Sequence, residues 1–327
     1  MSILILLGGL LLILGGANYL TDGASDIARR MGISDLIVGL TVVAFGTSAP
    51  ELAISLISAL NNSAGLAVGN VVGSNIFNTL VIIGVTAMVS PIVVRKSILT
   101  ADIPLVLLSA LVLLVMSNGP LLDGSSSALI SRVDGILLLC FFAVFMRYTF
   151  AQAKALPEGE AVKEPAAETV AANSKQLPLW RALIYVVGGL AALVWGGQLF
   201  VQGASDIAKG FGVSEAVIGL TVVAAGTSLP ELAASVVAAL KGRTEMALGN
   251  VIGSNIFNIF LVLGSAATIS PLPLGGIGNF DLLTLTGACL LFWVFGWFFA
   301  ERKITLIEGA VLACCYVAYT ALLILNL

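Results

Sequence analysis

Two stretches of this 327-residue chain repeat each other. Residues 23–78 begin GASDIA, pass through GLTVVAFGTSAPELA and end GNVVGSNIFN. Residues 203–258 begin GASDIA, pass through GLTVVAAGTSLPELA and end GNVIGSNIFN. The register is a constant 180 residues, and 34 of the 56 aligned positions are identical. Chance does not produce this, so the chain must fold as two related halves.

Composition says where those halves fold. Hydrophobic residues make up 59% and charged residues 10%, with a mean hydropathy of +1.08. Soluble domains carry about twice that share of charge. The net charge of −3 excludes the basic surface of a nucleic-acid binder. There is no histidine, which removes Ser–His and Cys–His catalysis and His-ligated metals. Cys140, Cys289, Cys314 and Cys315 lie in apolar runs without zinc-ligand spacing and read as small packing residues.

A bilayer span needs about 20 mostly apolar residues. The sequence predicts ten, at 2–28, 33–60, 66–90, 100–116, 127–150, 179–208, 213–240, 246–270, 281–299 and 304–326. The first is no signal peptide, because no basic region precedes it and it has a counterpart in the second half. With both termini outside, 13 of the 15 Lys and Arg residues fall on the inner side, leaving only Arg132 and Lys209 outside. Residues 151–178 mix Lys, Glu, Ala and Pro without an apolar period and read as a flexible cytoplasmic linker. The expected organisation is an all-α polytopic membrane protein: a first five-helix repeat at 1–150, the linker, and a second at 179–327. Five spans are odd in number, so the second half enters the membrane from the opposite side. Inverted-topology repeats of this kind build many secondary transporters, with the site near the midplane where the repeats meet.

Glu51 and Glu231 lie well inside their spans, where a charge costs a few kcal/mol, on the order of 2.5–3.5 by insertion scales. No Lys or Arg lies at comparable depth. A bound cation or a proton must then neutralise each carboxylate; the plainer reading is a protonated structural Glu. Glu51 precedes the span end by nine residues, about 13 Å, and Asn78 follows Ala67 by eleven, about 16 Å. Half the hydrocarbon thickness is about 15 Å, so the two reach one level, and Glu231 and Asn258 repeat the geometry from the other side.

Other oxygens share these helix faces. Thr47 and Glu51 are an i,i+4 pair and Ser48 and Glu51 an i,i+3 pair, and Thr227, Ser228 and Glu231 repeat this. Ser74 and Asn78, and Ser254 and Asn258, are i,i+4 pairs. A lone membrane Ser or Thr more often bonds its own backbone; matched sets around two acids argue otherwise. Pro50 and Pro230 should deprive the carbonyls of Gly46 and Gly226 of their helical donors. Gly69/Gly73 and Gly249/Gly253 have small-xxx-small spacing and read as close packing that holds the Asn helices against the Glu helices. All these ligands are oxygens, which suits hard cations. Two carboxylates balance one Ca²⁺ or two Na⁺, and a site that takes either but not both couples their movements.

The paired motifs GTSAPELAISLISAL with GNVVGSNIFN, and GTSLPELAASVVAAL with GNVIGSNIFN, resemble the two α-repeats of the calcium/cation antiporter superfamily, most closely the prokaryotic sodium/calcium exchangers. The resemblance covers essentially the whole chain. It implies ions bound between the second, third, seventh and eighth helices. By motif match Glu51 and Glu231 are the central carboxylates, Thr47, Ser48, Thr227 and Ser228 the adjoining hydroxyls, and Ser74 and Ser254 hydroxyls of flanking Na⁺ positions. Ala44 and Ala224 match residues that contribute backbone carbonyls. The first and sixth helices would slide to alternate access. Some members carry Asp where this chain has Asn258; loss of that carboxylate argues against a K⁺-dependent mode and changes what can carry a proton. The linker leaves no room for the calcium-sensing domains of animal exchangers.

The expected activity is exchange of Na⁺ for Ca²⁺ by alternating access in the cytoplasmic membrane of a prokaryote. The alternative is a proton-coupled or other cation/Ca²⁺ exchanger on the same scaffold. An intramembrane hydrolase or an inert scaffold fits worse, since Ser48 and Ser228 have no activating base. The implied partners are Ca²⁺, Na⁺ (H⁺ in the proton-coupled alternative) and the lipid bilayer, with no cofactor, nucleic acid or obligate protein partner.

Overall fold

Long apolar runs without internal proline become long helices. A computed structural model of the chain describes residues 1–61, 64–122, 124, 128–155, 177–211, 224–299 and 302–325. The helices are α1 (Ser2–Met31), α2 (Asp35–Thr47), α3 (Ala49–Leu60), α4 (Gly65–Val89), α5 (Ile98–Ser117), α6 (Arg132–Ala155), α7 (Leu179–Gly210), α8 (Leu229–Leu240), α9 (Thr244–Ile269), α10 (Asn279–Phe298) and α11 (Leu306–Leu325). Eight are long and apolar enough to cross a membrane, and α2 with α3 makes a ninth if the broken pair is one span. The seventh expected span, 213–240, falls partly outside the described residues; the turn Ala224–Thr227 and α8 are its described helical portions. The linker expected at 151–178 also lies mostly outside them, but its first residues, 151–155, continue α6. The fifth span starts at Arg132, later than expected, because Leu129–Ile130 forms a short strand instead.

Exposed Ile3, Leu4, Leu11, Trp180, Ile184 and Val187 give α1 and α7 apolar outer faces. A soluble protein avoids so large an apolar surface, and lipid welcomes it. Burial separates the helices sharply. In its most apolar stretch α9 is 94% buried and α4 78%, against 28% for α1 and 17% for α11. The two GSNIFN helices are therefore core elements, not lipid-facing ones.

The chain divides into two units. The first contains Met1–Thr47 and Ala151–Val251. Its frame is α1 packed antiparallel on α7 through glycines seven residues apart. A Cβ on Gly16 would sit 2.7 Å from the Gly189 carbonyl oxygen, and one on Gly189 would sit 2.7 Å from that of Gly16. Gly9 and Gly196 repeat this one heptad away, at 2.7 and 2.9 Å. Only glycine lets two backbones approach this closely. Ile13, Leu20, Val43, Val186, Leu193, Ala234, Ala238 and Met246 fill the core between α1, α2, α7, α8 and the start of α9. Polar contacts gather at the ends of these helices. Asp26, wholly buried, takes Arg29 at 3.0 Å and Arg30 at 3.2 Å. Arg30 also bonds the Leu177 carbonyl. Lys241 meets Asp22 at 2.6 Å, and Arg243 meets Asp35 at 2.8 Å. α1 ends at Gly32, whose φ of 64° is the left-handed cap that glycine accepts without a steric cost.

The second unit contains Ser48–Phe150 and Ile252–Leu327. Two short antiparallel ladders pin its loops, Ile92–Val93 to Lys303–Ile304 and Leu129–Ile130 to Leu272–Pro273. Acidic residues near its span ends are satisfied locally. Asp134 accepts from the Ser131 N–H at 2.8 Å, Asp281 from the Gly278 N–H at 2.9 Å, and Glu308 from the Thr305 N–H at 2.8 Å. Each sits in the first turn of its helix, where the dipole favours a carboxylate. Asp281 also takes the Tyr319 hydroxyl at 2.8 Å, and Asp102 takes that of Tyr148 at 3.3 Å.

Candidate functional site

Each copy of the GTSxPE motif breaks its helix. Helical turn Ala44–Thr47 closes α2, Ser48 leaves the helix at φ −83°, ψ 4°, and α3 restarts at Ala49. Ala224–Thr227, Ser228 at φ −92°, ψ 5°, and α8 repeat this. The structure places the prolines just after the break, with Gly46 and Gly226 in the turn before it. Pro50 and Pro230 sit in the first turn of a new helix, where a missing N–H costs nothing, rather than inside a continuous one. Glu51 and Glu231 consequently occupy a first turn, at the positive end of a helix dipole. That field partly offsets the cost of burying a carboxylate; Glu51 is 0% exposed and Glu231 1%. S-x-x-E at both sites is the same spacing as the span-end caps, but neither serine hydroxyl caps its helix.

In the second unit α3 packs on α4 and on the part of α9 that follows Ile252. It thereby gathers Ser48, Glu51, Ser74, Asn78, Ser254 and Asn258, all buried. Asn78 opens a π-helical stretch, Asn78–Ile82, and Asn258 lies in another, Phe257–Leu263. Wider turns of this kind re-aim side chains and are frequent at functional sites. Asn75 and Asn255, which the sequence analysis did not single out, tie α4 to α9. Asn75 Nδ2 donates to the Asn255 carbonyl at 3.0 Å, and Asn258 Nδ2 donates to Asn75 Oδ1 at 3.0 Å. Asn255 Nδ2 donates to Thr79 Oγ1 at 2.9 Å, whose own proton goes to the Asn75 carbonyl at 2.9 Å.

Asn258 therefore ties its amide nitrogen to the scaffold and keeps its oxygen. Ser74 Oγ, both amide atoms of Asn78, Ser254 Oγ and Asn258 Oδ1 are buried and make no hydrogen bond with the described residues. Buried polar atoms almost always find a partner, and leaving one without costs about 1–3 kcal/mol. Several together, beside a buried carboxylate's helix, form a set of hard oxygen donors suited to Na⁺ or Ca²⁺. Among the described residues no three His, Cys, Asp or Glu side chains cluster as they would for a resident transition metal.

The first unit holds the other half of the expected set: Ala44, Thr47, Ala224, Thr227, Ser228 and Glu231. α8 packs against α1, α7 and the turn Ala44–Thr47. Ala44, Thr47, Ser228 and Glu231 are buried, while Thr227 is half-buried. Ser228 Oγ makes no hydrogen bond with the described residues. Thr47 Oγ1 lies 3.1 Å from the Val43 carbonyl and 3.4 Å from that of Ala44. It also reaches Asn250 Oδ1 at 3.2 Å. Asn250, another residue the sequence analysis passed over, donates to the Glu231 carbonyl at 3.3 Å and to Ser235 Oγ at 3.0 Å. Its copy, Asn70, donates to Ser55 Oγ at 3.4 Å within the second unit. A signal for these residues was present: Asn70, Ser74 and Asn78, like Asn250, Ser254 and Asn258, follow at i,i+4 on one face.

The expected glycine packing holds only in part. A Cβ on Gly249 would lie 2.5 Å from the Leu36 carbonyl oxygen, so α9 does press on α2. On Gly73 a Cβ would meet nothing within 4 Å, and on Gly69 only the Ile277 side chain at 3.8 Å. Those two glycines do not clamp α4 to α3.

Comparison with known proteins identifies the family. The family model for sodium/calcium exchanger protein matches residues 1–151 and 181–325. The chain is 40% identical to the putative antiporter CaxA of Alkalimonas amylolytica, over 96% of each. It is 33% identical to the sodium/calcium exchanger MaX1 of Methanosarcina acetivorans, over 98% of each. A structure of the sodium-calcium exchanger NCX_Mj superposes with a TM-score of 0.83, at 31% identity, over 98% of both chains. This multi-pass membrane protein belongs to the sodium/calcium exchanger family.

Proposed function

We propose that the chain is a secondary active antiporter that exchanges Na⁺ for Ca²⁺ across the cytoplasmic membrane by alternating access. In this reading it is built as ten transmembrane helices in two inverted five-helix repeats, with both termini outside. The observation that carries it is the group of buried oxygens on α4 and α9 without hydrogen-bond partners among the described residues, flanked by a wholly buried Glu51. Neutral oxygens and acids without a histidine suit hard, labile cations that must both bind and leave.

The ligand roles follow the residues. Glu51 and Glu231 supply the charge. Thr47, Ser48, Thr227 and Ser228 supply hydroxyl oxygens, and Ala44 and Ala224 backbone carbonyls. Ser74, Asn78, Ser254 and Asn258 supply the neutral oxygens that suit Na⁺. The family name and the name of MaX1 support Na⁺ as the coupling ion. The gathering of Arg29, Arg30, Lys241 and Arg243 at neighbouring helix ends of the first unit supports the orientation, since all four fall on the inner side in it.

The test uses purified protein in liposomes. Na⁺-loaded vesicles are diluted into Na⁺-free medium with radioactive Ca²⁺. Uptake that requires the Na⁺ gradient is expected. Uptake that follows an imposed pH gradient and ignores Na⁺ would replace Na⁺ with H⁺ as the coupling ion. Absence of Ca²⁺ uptake under both gradients would end the antiport reading.

A further inference from the structure

We propose that Asn250 is a positioning residue for ion binding, one that sets the direction of the Thr47 hydroxyl and couples it to the Glu231 segment; this rests on the antiport reading above.

Asn250 is 1% exposed, and its amide bonds Thr47, the Glu231 carbonyl and Ser235, all in its own unit. The amide can sit only one way round. The Glu231 carbonyl accepts and cannot donate, so the NH₂ group must face it, at 3.3 Å. The other N–H goes to Ser235 Oγ at 3.0 Å. Oδ1 is thereby turned to Thr47 Oγ1, 3.2 Å away.

That placement has a consequence for a cation. A hydroxyl that binds a cation through oxygen must point its proton elsewhere. Three acceptors are within reach of Thr47: the Val43 carbonyl, the Ala44 carbonyl and Asn250 Oδ1. The Ala44 carbonyl is itself an assigned ligand. With the Thr47 proton on Asn250, the Thr47 lone pairs and the Ala44 carbonyl both stay available to a cation. Without Asn250 the proton must fall back on a backbone carbonyl, and Ala44 is one of the two. The same side chain steadies the backbone at Glu231, so one amide fixes groups from α2 and α8. Its action is indirect, through ligands it orients.

The experiment compares wild type, Asn250→Leu and Asn250→Asp in liposomes, reading initial Ca²⁺ uptake against external Ca²⁺ and pH. Leucine keeps the bulk and removes every polar contact. It should raise the KM for Ca²⁺ about tenfold, the scale of one or two lost hydrogen bonds, with a smaller change in maximal rate. Aspartate keeps an acceptor for Thr47 and can serve Glu231 only when protonated. Its activity relative to wild type should therefore rise as pH falls. A KM unchanged in Asn250→Leu, or a variant-to-wild-type ratio for Asn250→Asp that stays flat from pH 5 to 8 (about the range a buried carboxyl can titrate over), overturns the proposal. Should Asn250→Leu not survive purification, the Asn250→Asp ratio decides alone. Wild type that takes up no Ca²⁺ under Na⁺ or pH gradients overturns the antiport reading instead, and this one with it.

Discussion

Asn75 and Asn255 occupy the same place in two copies of one motif, GSNIFN, yet they bond differently. Asn75 Nδ2 donates to the Asn255 carbonyl, and its Oδ1 accepts from Asn258. Asn255 Nδ2 donates to the Thr79 hydroxyl, and its oxygen makes no hydrogen bond with the described residues. The cause is one residue outside the motif: Thr79 in the first copy is Ile259 in the second. A hydroxyl draws Asn255 aside, and isoleucine offers Asn75 no such acceptor. Asn258 is held with its oxygen available, while Asn78 has neither amide atom bonded to a described residue. Two proposed ligands that the repeat makes look equivalent therefore meet different constraints. Identical motifs fix which atoms are present; the neighbours fix which of them an ion can use.

The carboxylates should not share this inequality. Each is buried in the first turn of a restarted helix, behind the same serine. Glu51→Gln and Glu231→Gln should each lower Na⁺-driven Ca²⁺ uptake more than about 100-fold, since losing one of the two charged groups in the proposed ligand set costs at least the several kcal/mol of a charge-assisted contact. Both variants should stay monodisperse in size-exclusion chromatography, because the neutral amide is easier to bury. Normal flux in either would remove that residue from the ion path and break the symmetry at its root.

One step down, the asparagines should part. Asn258→Asp puts a carboxyl against Asn75 Oδ1, now 3.0 Å from an N–H. Only the protonated acid can donate there, so uptake should fall as pH rises. Asn78→Asp meets no such demand and should show the weaker pH dependence. Matching pH profiles for the two variants would show that the Asn75 contact does not govern Asn258.

Much of this was legible in the residues. The repeat and the apolar runs gave the helical membrane class, and the acids without neighbouring bases gave a buried polar site. The helix breaks at Ser48 and Ser228 were misread, because Pro50 and Pro230 look alike in a kinked helix and in the first turn of a new one. Only the backbone angles decide that. Asn75, Asn250 and Asn255 escaped notice for a different reason. Their partners, Thr79, Thr47 and Ser235, come from other helices, so these pairings are not legible along one helix, although the i,i+4 row of Asn250, Ser254 and Asn258 was. Gly73 misled in the opposite sense: the right spacing met open space instead of a neighbour.

Thr79 itself can be probed through stability. Thr79→Val is nearly isosteric but strands a buried Asn255 N–H and loses the bond to the Asn75 carbonyl. The cost should be about 1–3 kcal/mol. Ile259→Val, its counterpart, removes one methyl group and should cost about 0.5–1.5 kcal/mol. Thermal unfolding in one detergent should rank Thr79→Val below Ile259→Val. The reverse order would mean that packing at Ile259, and not the hydroxyl at Thr79, separates the two copies.

The smallest difference lies where α3 and α8 end. Asn61 and Lys241 follow these helices in the same conformation, with N–H bonds to the Ile57 and Val237 carbonyls at 2.9 and 3.1 Å. Only Lys241 carries a charge, and it reaches across to Asp22 at 2.6 Å and to the Asn18 carbonyl at 3.0 Å on α1. Both partners of the ion pair are partly exposed, at 27% and 47%, so water screens it and its worth should be below about 1 kcal/mol. Lys241→Asn makes the second copy read like the first at this point. Its melting temperature should drop by a degree or two at low salt, on the scale of such a pair, and the gap should close near 1 M salt. A loss that persists in high salt would mean that the lysine stem, packed along α1, matters more than its charge, since screening leaves apolar contact untouched.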